Sequence, residues 1–169
     1  MLPSDNGLTS LECSSLISGE SSLISYVGVI LSSTQRQHQD PNPLPALERY
    51  QALYPSHIRS MQKRGLFPKK CDIMFVTGLG IFKADDKILP NDIPMTPQLA
   101  LSVREENLDA MKRILSTKRY EEVYVNLGQN YFKSIEGFEK FTNARITYAK
   151  RVLGRKAVHM KQWISDHAQ

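Results

Sequence analysis

Three short apolar runs set the frame of the chain. Ser25-Tyr26-Val27-Gly28-Val29-Ile30-Leu31 and Asp72-Ile73-Met74-Phe75-Val76 are continuous, rich in β-branched or bulky residues and too short for helices, so they predict strands buried on both faces. Tyr120 to Leu127 alternates more and predicts a third strand. Each run is closed by residues that turns use: Ser32-Ser33-Thr34, Thr77-Gly78-Leu79-Gly80 and Gly128. Ile81-Phe82-Lys83 continues as extended chain after the second of these turns.

Helical spacing fills the intervals. Leu47, Tyr50, Leu53 or Tyr54, Ile58 and Met61 lie three or four apart between Leu44 and Arg64, which predicts one helix interrupted near Pro55, or a short helix followed by a longer one, ending at Gly65. Thr96 to Leu115 carries an apolar stripe of Leu99, Val103, Leu108, Met111, Ile114 and Leu115, opposed by Arg104, Glu105, Glu106, Asp109, Lys112 and Arg113, the pattern of a half-buried helix. Phe132 to His167 is expected to be helical with breaks at Gly137 and Gly154, docked by Trp163-Ile164. Two proline-rich stretches, Gln35 to Pro45 and Lys83 to Pro97, predict long loops without extended regular structure.

Strand, helix, strand, helix, strand is the order that right-handed parallel crossovers produce. The predicted fold is therefore α/β: a three-layer sandwich whose mostly parallel sheet of three to four strands is flanked by helices. Residues 1–24, rich in Ser, Leu and Gly without periodicity, are expected to form a flexible leader, and residues 25–169 a single domain. A parallel sheet of this kind puts the ends of all three strands on one edge, where open α/β sheets bind their ligands. Ser32, Ser33, Thr77, Gly78, Gly80, Asn126, Gln129 and Tyr131 are thereby candidate substrate-binding residues. Each also fits an ordinary turn after a strand.

Composition narrows the chemistry. The chain has 169 residues, 41% of them hydrophobic, and no apolar stretch of membrane-spanning length or signal-peptide form, so a cytoplasmic protein without a membrane partner is expected. Cys13 and Cys71 are too few and too unlike in setting for a disulfide framework or a metal cluster, and Cys71 at the start of a strand reads as a small buried hydrophobe. No histidine pair has metal-ligand spacing, and Walker and Gly-x-Ser-x-Gly motifs are absent. Gly78-x-Gly80 lacks the third glycine and the immediate helix of a dinucleotide site. Neither a metal nor another cofactor is expected.

The net charge is +5, and Arg145, Lys150, Arg151, Arg155, Lys156 and Lys161 follow one another without an intervening acid. Such a run attracts phosphate backbones or anionic substrates, and equally suits a solvated helix face. Arg36, Arg155 and Lys156 are the candidate phosphate-binding residues.

The pieces Ile30-Leu31-Ser32-Ser33-Thr34, Ala46-Leu47-Glu48-Arg49-Tyr50, Phe75-Val76-Thr77-Gly78-Leu79-Gly80-Ile81-Phe82, Leu89-Pro90, Gly128-Gln129-Asn130-Tyr131 and Gly154-Arg155-Lys156 with Trp163 carry a resemblance. In this order they resemble an uncharacterised group of small prokaryotic and phage-associated domains, across most of residues 26 to 165. Members more often show Ser-Cys-x-Lys after the first strand and Lys-Tyr-Gly-Leu or His-Gly-Leu after the second, where this chain has Ser-Ser-Thr-Gln and Thr-Gly-Leu-Gly. The group is distantly similar to the uracil-DNA-glycosylase-like fold, which also occurs inside archaeosine synthase.

That resemblance implies a protein that binds or processes nucleic acid or nucleotides, with hydrolysis of the N-glycosidic bond of a modified base as its specific form. The alternative is a non-catalytic nucleic-acid or nucleotide-binding module of a larger assembly. Gln39-Asp40-Pro41 is similar to the Gln-Asp-Pro-Tyr turn of the glycosylases, whose Asp positions or activates the attacking water. Here it lies several residues further from the strand, is followed by Asn42 and also fits a plain proline-rich turn. Breaking such a bond builds positive charge on the sugar and negative charge on the base, and so needs a carboxylate near C1′ and donors toward the base. Asp40 is the first candidate carboxylate, with Asp85 or Asp86 in reserve. His38 is a candidate donor to the leaving base, Asn126 and Gln129 candidate readers of the base edge, and Tyr131 a candidate stacking partner.

Overall fold

A computed structural model describes residues 24–33, 36–91, 93–149 and 156–168. Its main sheet has five strands: β1 (Tyr26–Ser32), β3 (Cys71–Thr77), β4 (Gly80–Lys83), β6 (Tyr120–Asn126) and β7 (Arg145–Tyr148), in the spatial order β4-β3-β1-β6-β7. β3, β1, β6 and β7 run parallel, and only β4 is antiparallel to its neighbour. A second, two-stranded antiparallel piece pairs β2 (Leu44–Pro45) with β5 (Lys87–Ile88). The helices are α1 (Ala46–Arg49), α2 (Leu53–Lys63), α3 (Pro97–Thr117), α4 (Gln129–Lys133) and α5 (Lys156–Asp166), with a 3-10 turn at Phe138–Phe141. The expected flexible leader, 1–24, lies outside the described residues except for Ile24.

The strands form as they do because both of their faces are covered. Val29 and Leu31 of β1, Ile73 and Phe75 of β3 and Tyr124 of β6 enter one core with Ile58 and Met61 of α2 and Met160, Trp163 and Ile164 of α5. The residues between them, Ile30, Met74, Val76, Val123 and Val125, enter another with Met111 and Leu115 of α3, Ile135 and Phe138. Strand alternation thus feeds two separate cores, and a strand serving both must be apolar at nearly every position.

The chain begins the sheet at its centre, crosses to β3, and then passes back over β1 to β6. β1 and β6 therefore flank the point at which the connections leave in opposite directions, the place where doubly wound sheets open a crevice. Ser32 Oγ accepts a hydrogen bond from the Gly128 N–H at 2.8 Å across this point.

The details differ from the periodicity in three places. The 44–64 segment is the short helix followed by a longer one that the spacing allowed, but the break lies at Tyr50–Ala52 and not at Pro55, because Tyr50 is extended and makes an isolated antiparallel bridge with Gln37. Pro55 is the third residue of α2, in the first turn, where no intrahelical N–H is required. The main sheet has five strands, where three to four were expected. Residues 132–149 contain one short helix end, a 3-10 turn and the parallel strand β7 in place of a continuous helix; the break expected at Gly154 lies outside the described residues. No helix among the described residues is long and apolar enough to cross a membrane.

Phe138 is fully buried although its 3-10 turn has only four residues. Phe138→Ala is expected to cost about 3–5 kcal/mol in denaturant unfolding, whereas Leu101→Ala on α3, where Leu101 is 72% exposed, should change stability by less than about 0.5 kcal/mol.

Candidate functional site

At the C-terminal edge of β1 and β3 lies a cavity of about 280 Å³, toward the lower end of the size range of small-molecule pockets. Ser33, Thr77 and Gly78 come from the two strand ends, Tyr50 and Phe82 from the segments beside them, and Gln37, Lys87, Leu89, Asn91 and Ile93 from the two proline-rich loops. The walls are aromatic and aliphatic, with a few hydroxyl and amide groups and one lysine among them. No carboxylate lines it among the described residues.

The loops owe their position to Arg49. Its guanidinium is fully buried, and no carboxylate pairs with it among the described residues. It donates instead to backbone carbonyls: His38 at 2.8 Å, Asp40 at 2.6 Å, Ile88 at 3.1 Å from Nη2 and 3.3 Å from Nε, and Asn42. The fixed fork of five donors suits a set of carbonyls converging from several directions. The first proline-rich loop and β5 are held together by this one side chain, reinforced by the His38 N–H to the Arg49 carbonyl at 2.7 Å and the Ala46 N–H to the Asp86 carbonyl at 2.7 Å.

Several candidate residues have their hydrogen-bonding capacity used within the fold. Thr77 Oγ1 donates to the Gly80 carbonyl at 2.7 Å and accepts from the Leu79 N–H at 2.9 Å, which closes the two-residue turn between β3 and β4. Gly80 in that turn has φ +135°, a conformation that favours glycine. A Cβ on Gly78 would come within 2.7 Å of Leu99 Cδ2, so the glycine permits close packing of α3 against the strand end. Ser33 lines the cavity with its hydroxyl 3.5 Å from the Tyr131 hydroxyl.

Gln37, with Lys87 and Asn91, is among the polar residues of the cavity that the sequence did not single out. Its Nε2 donates to the Asn91 carbonyl at 3.0 Å; a carbonyl can only accept, so the amide orientation follows and Oε1 faces the other way. That oxygen is buried and has no partner among the described residues. The signal for Gln37 was its loop alone, and nothing separated it from Gln35 or Gln39.

Asp40, His38 and Asp85 stand apart from this cavity. Asp40 Oδ1 accepts from the Asn42 N–H at 2.9 Å, a local turn contact, while the Asp40 N–H donates to His38 Nδ1 at 3.0 Å. The acceptor role of Nδ1 places the proton of a neutral His38 on Nε2. His38, Arg36, Gln37, Gln39 and Gln51 line a separate, open depression. Asp85 is exposed in the β4–β5 turn, and Asp86 Oδ2 accepts from the Lys83 N–H at 2.7 Å. Gln129 is exposed at the start of α4.

Asn126 is brought to a different neighbour. It lines a cavity of about 30 Å³ together with Phe132, Tyr148 and Lys156, so the structure unites a residue expected to read a base with one expected to bind phosphate. Arg155 lies outside the described residues. Cys71 is unsuited to nucleophilic chemistry: burial, and then the neighbouring Asp72 carboxylate, push its thiol well above the ordinary range, leaving it protonated at neutral pH. Among the described residues no group of three or more His, Cys, Asp or Glu side chains could hold a metal ion.

Arg49→Met leaves the carbonyls of residues 38, 40, 42 and 88 without their donor and is expected to lower stability by about 2–4 kcal/mol, with Arg49→Lys recovering only part of the loss. Amide exchange should rise first in residues 38–42; uniform exchange across the sheet would show that the loop does not depend on Arg49. No protein family model, curated protein or solved structure matches this chain.

Proposed function

We propose that the protein binds the base of a nucleoside or nucleotide in the cavity at the ends of β1 and β3. The observation that carries this reading is a cavity walled largely by Tyr50, Phe82, Ile88, Leu89 and Ile93, one of whose polar lining residues, Gln37, keeps a buried Oε1 without a partner among the described residues. A flat ring gains contact with such walls on both faces, and its edge groups meet the few polar atoms. A buried acceptor without a donor is worth about 1–3 kcal/mol to any ligand that satisfies it. The position of the cavity on the C-terminal edge of the parallel strands, where open α/β sheets take their ligands, supports the same assignment. So does the resemblance to the uracil-DNA-glycosylase-like fold, which is an argument from fold alone.

The second reading is release of a modified base by N-glycosidic hydrolysis, and a specific feature favours it. Arg49 holds the Gln39-Asp40-Pro41 turn rigidly, and the Asp40 N–H sets His38 as an Nε2–H donor, the form needed to stabilise a departing base. Asp40 would then position the water. In the described structure its carboxylate caps its own turn, so the binding reading stands first.

A calorimetric panel of nucleosides and nucleotides tests the binding reading. Gln37→Leu is expected to weaken the best ligand about tenfold, or about 1.4 kcal/mol; the absence of binding across the panel removes the proposal. Base release from DNA and RNA containing modified bases, lost in Asp40→Asn, would select the catalytic reading. Binding without release in either protein would leave the module reading alone.

A further inference from the structure

We propose that Asn126 and Lys156 form an oxyanion site, taking the oxygens of a phosphate group at the C-terminal ends of β6 and β7. This site is separate from the base-binding cavity and does not depend on it. Asn126 is the last residue of β6 and is only 5% exposed. Its Nδ2 is buried and donates to nothing among the described residues. An amide NH2 withdrawn from water with neither proton engaged is costly, and the side chains beside it do not relieve it. Phe132 offers only a ring, and the Tyr148 hydroxyl, which donates to Glu139 Oε2 at 2.5 Å, accepts no hydrogen bond from Nδ2.

Lys156 supplies the charge. It is the first described residue of α5 and lines the same cavity, and its side chain has no hydrogen bond or ion pair among the described residues. The described lining of the cavity contains no carboxylate. Asn126, with its unengaged NH2, and Lys156, with its ammonium group, line one small cavity, and both groups favour negative charge.

Size then limits what enters. A volume of about 30 Å³ holds about one oxygen atom, on the scale at which a single water is accommodated. The ligand must therefore be an anion that offers an oxygen while the rest of it stays outside, as inorganic phosphate or a phosphate ester does. A bulky organic acid buried whole does not fit. Asn126 on this view grips a phosphate oxygen through Nδ2 and does not read a base edge.

Inorganic phosphate is the probe, titrated into the full chain at low ionic strength by calorimetry, with sodium chloride at matched ionic strength as the reference. Saturable one-to-one binding is expected. Asn126→Asp, nearly identical in shape but negative, should weaken it at least tenfold, and so should Lys156→Gln at the surface. Lys161→Gln, on the same helix but outside the cavity, should change it less than twofold. If Asn126→Asp fails to fold, Lys156→Gln against Lys161→Gln decides the matter alone. Three results overturn the proposal: no saturable binding, equal losses in the two lysine variants, or an Asn126→Asp protein that folds and binds phosphate as the wild type does. The last would mean that Nδ2 serves a buried water only.

Discussion

A buried cation without a counter-ion among the described residues governs the working edge of this protein. Desolvating a guanidinium is expensive, and the usual compensation is a carboxylate beside it. Arg49 is compensated by carbonyl dipoles from three points of one loop and by Ile88 of β5. The charge cannot be satisfied unless those segments are in place, and it adds to the short β2–β5 ladder and the Gln37–Asn91 bond that also join them. Two stretches that look unstructured in sequence thereby become one wall. The cavity exists because that wall faces the strand ends across a gap that no described side chain fills.

The sheet was legible in the sequence for a plain reason. Strands that serve two cores are apolar at nearly every step, so β1 and β3 stand out as continuous runs and β6 as an alternating one. β7 did not, because Arg145-Ile146-Thr147-Tyr148 is an edge strand of four residues, none of them fully buried, and it carries the first charge of a basic run that suggested a helix face. The Tyr50 break was hidden likewise: helical spacing continues through it, and the bridge to Gln37 that overrides it is a tertiary contact. Parallel order predicted which strand ends share an edge. It could not say how the edge is divided among cavities.

That division is where the candidate residues part. Thr77, Gly78 and Gly80 were chosen as small, accessible groups, but the first is saturated by its own turn and the glycines answer packing and backbone demands. Ser33, Thr77 and Gly78 all line the cavity. Gln37 and Arg49 were invisible as site residues because their significance is relational: one has an oxygen left over after its nitrogen is engaged, the other has donors that match carbonyls distant in sequence. Composition and spacing identify residue types suited to a task, while leftover hydrogen-bonding capacity emerges only once every partner is placed.

The two-sided core has a further consequence for the order in which the molecule can be completed during synthesis. One face of the sheet is covered by α3 and the Ile135–Phe138 segment, which follow β3 and β4 in the chain. The other needs Met160, Trp163 and Ile164 of α5 beside Ile58 and Leu31, residues separated by more than a hundred positions. A nascent chain can therefore close the α3 layer first, while on the opposite side, already partly covered by α2, Tyr124 lacks Trp163 and His159 until α5 emerges. Local contacts form before distant ones are rewarded, so α5 acts as a latch on this face, and the time before it docks is an interval of vulnerability to aggregation and proteolysis.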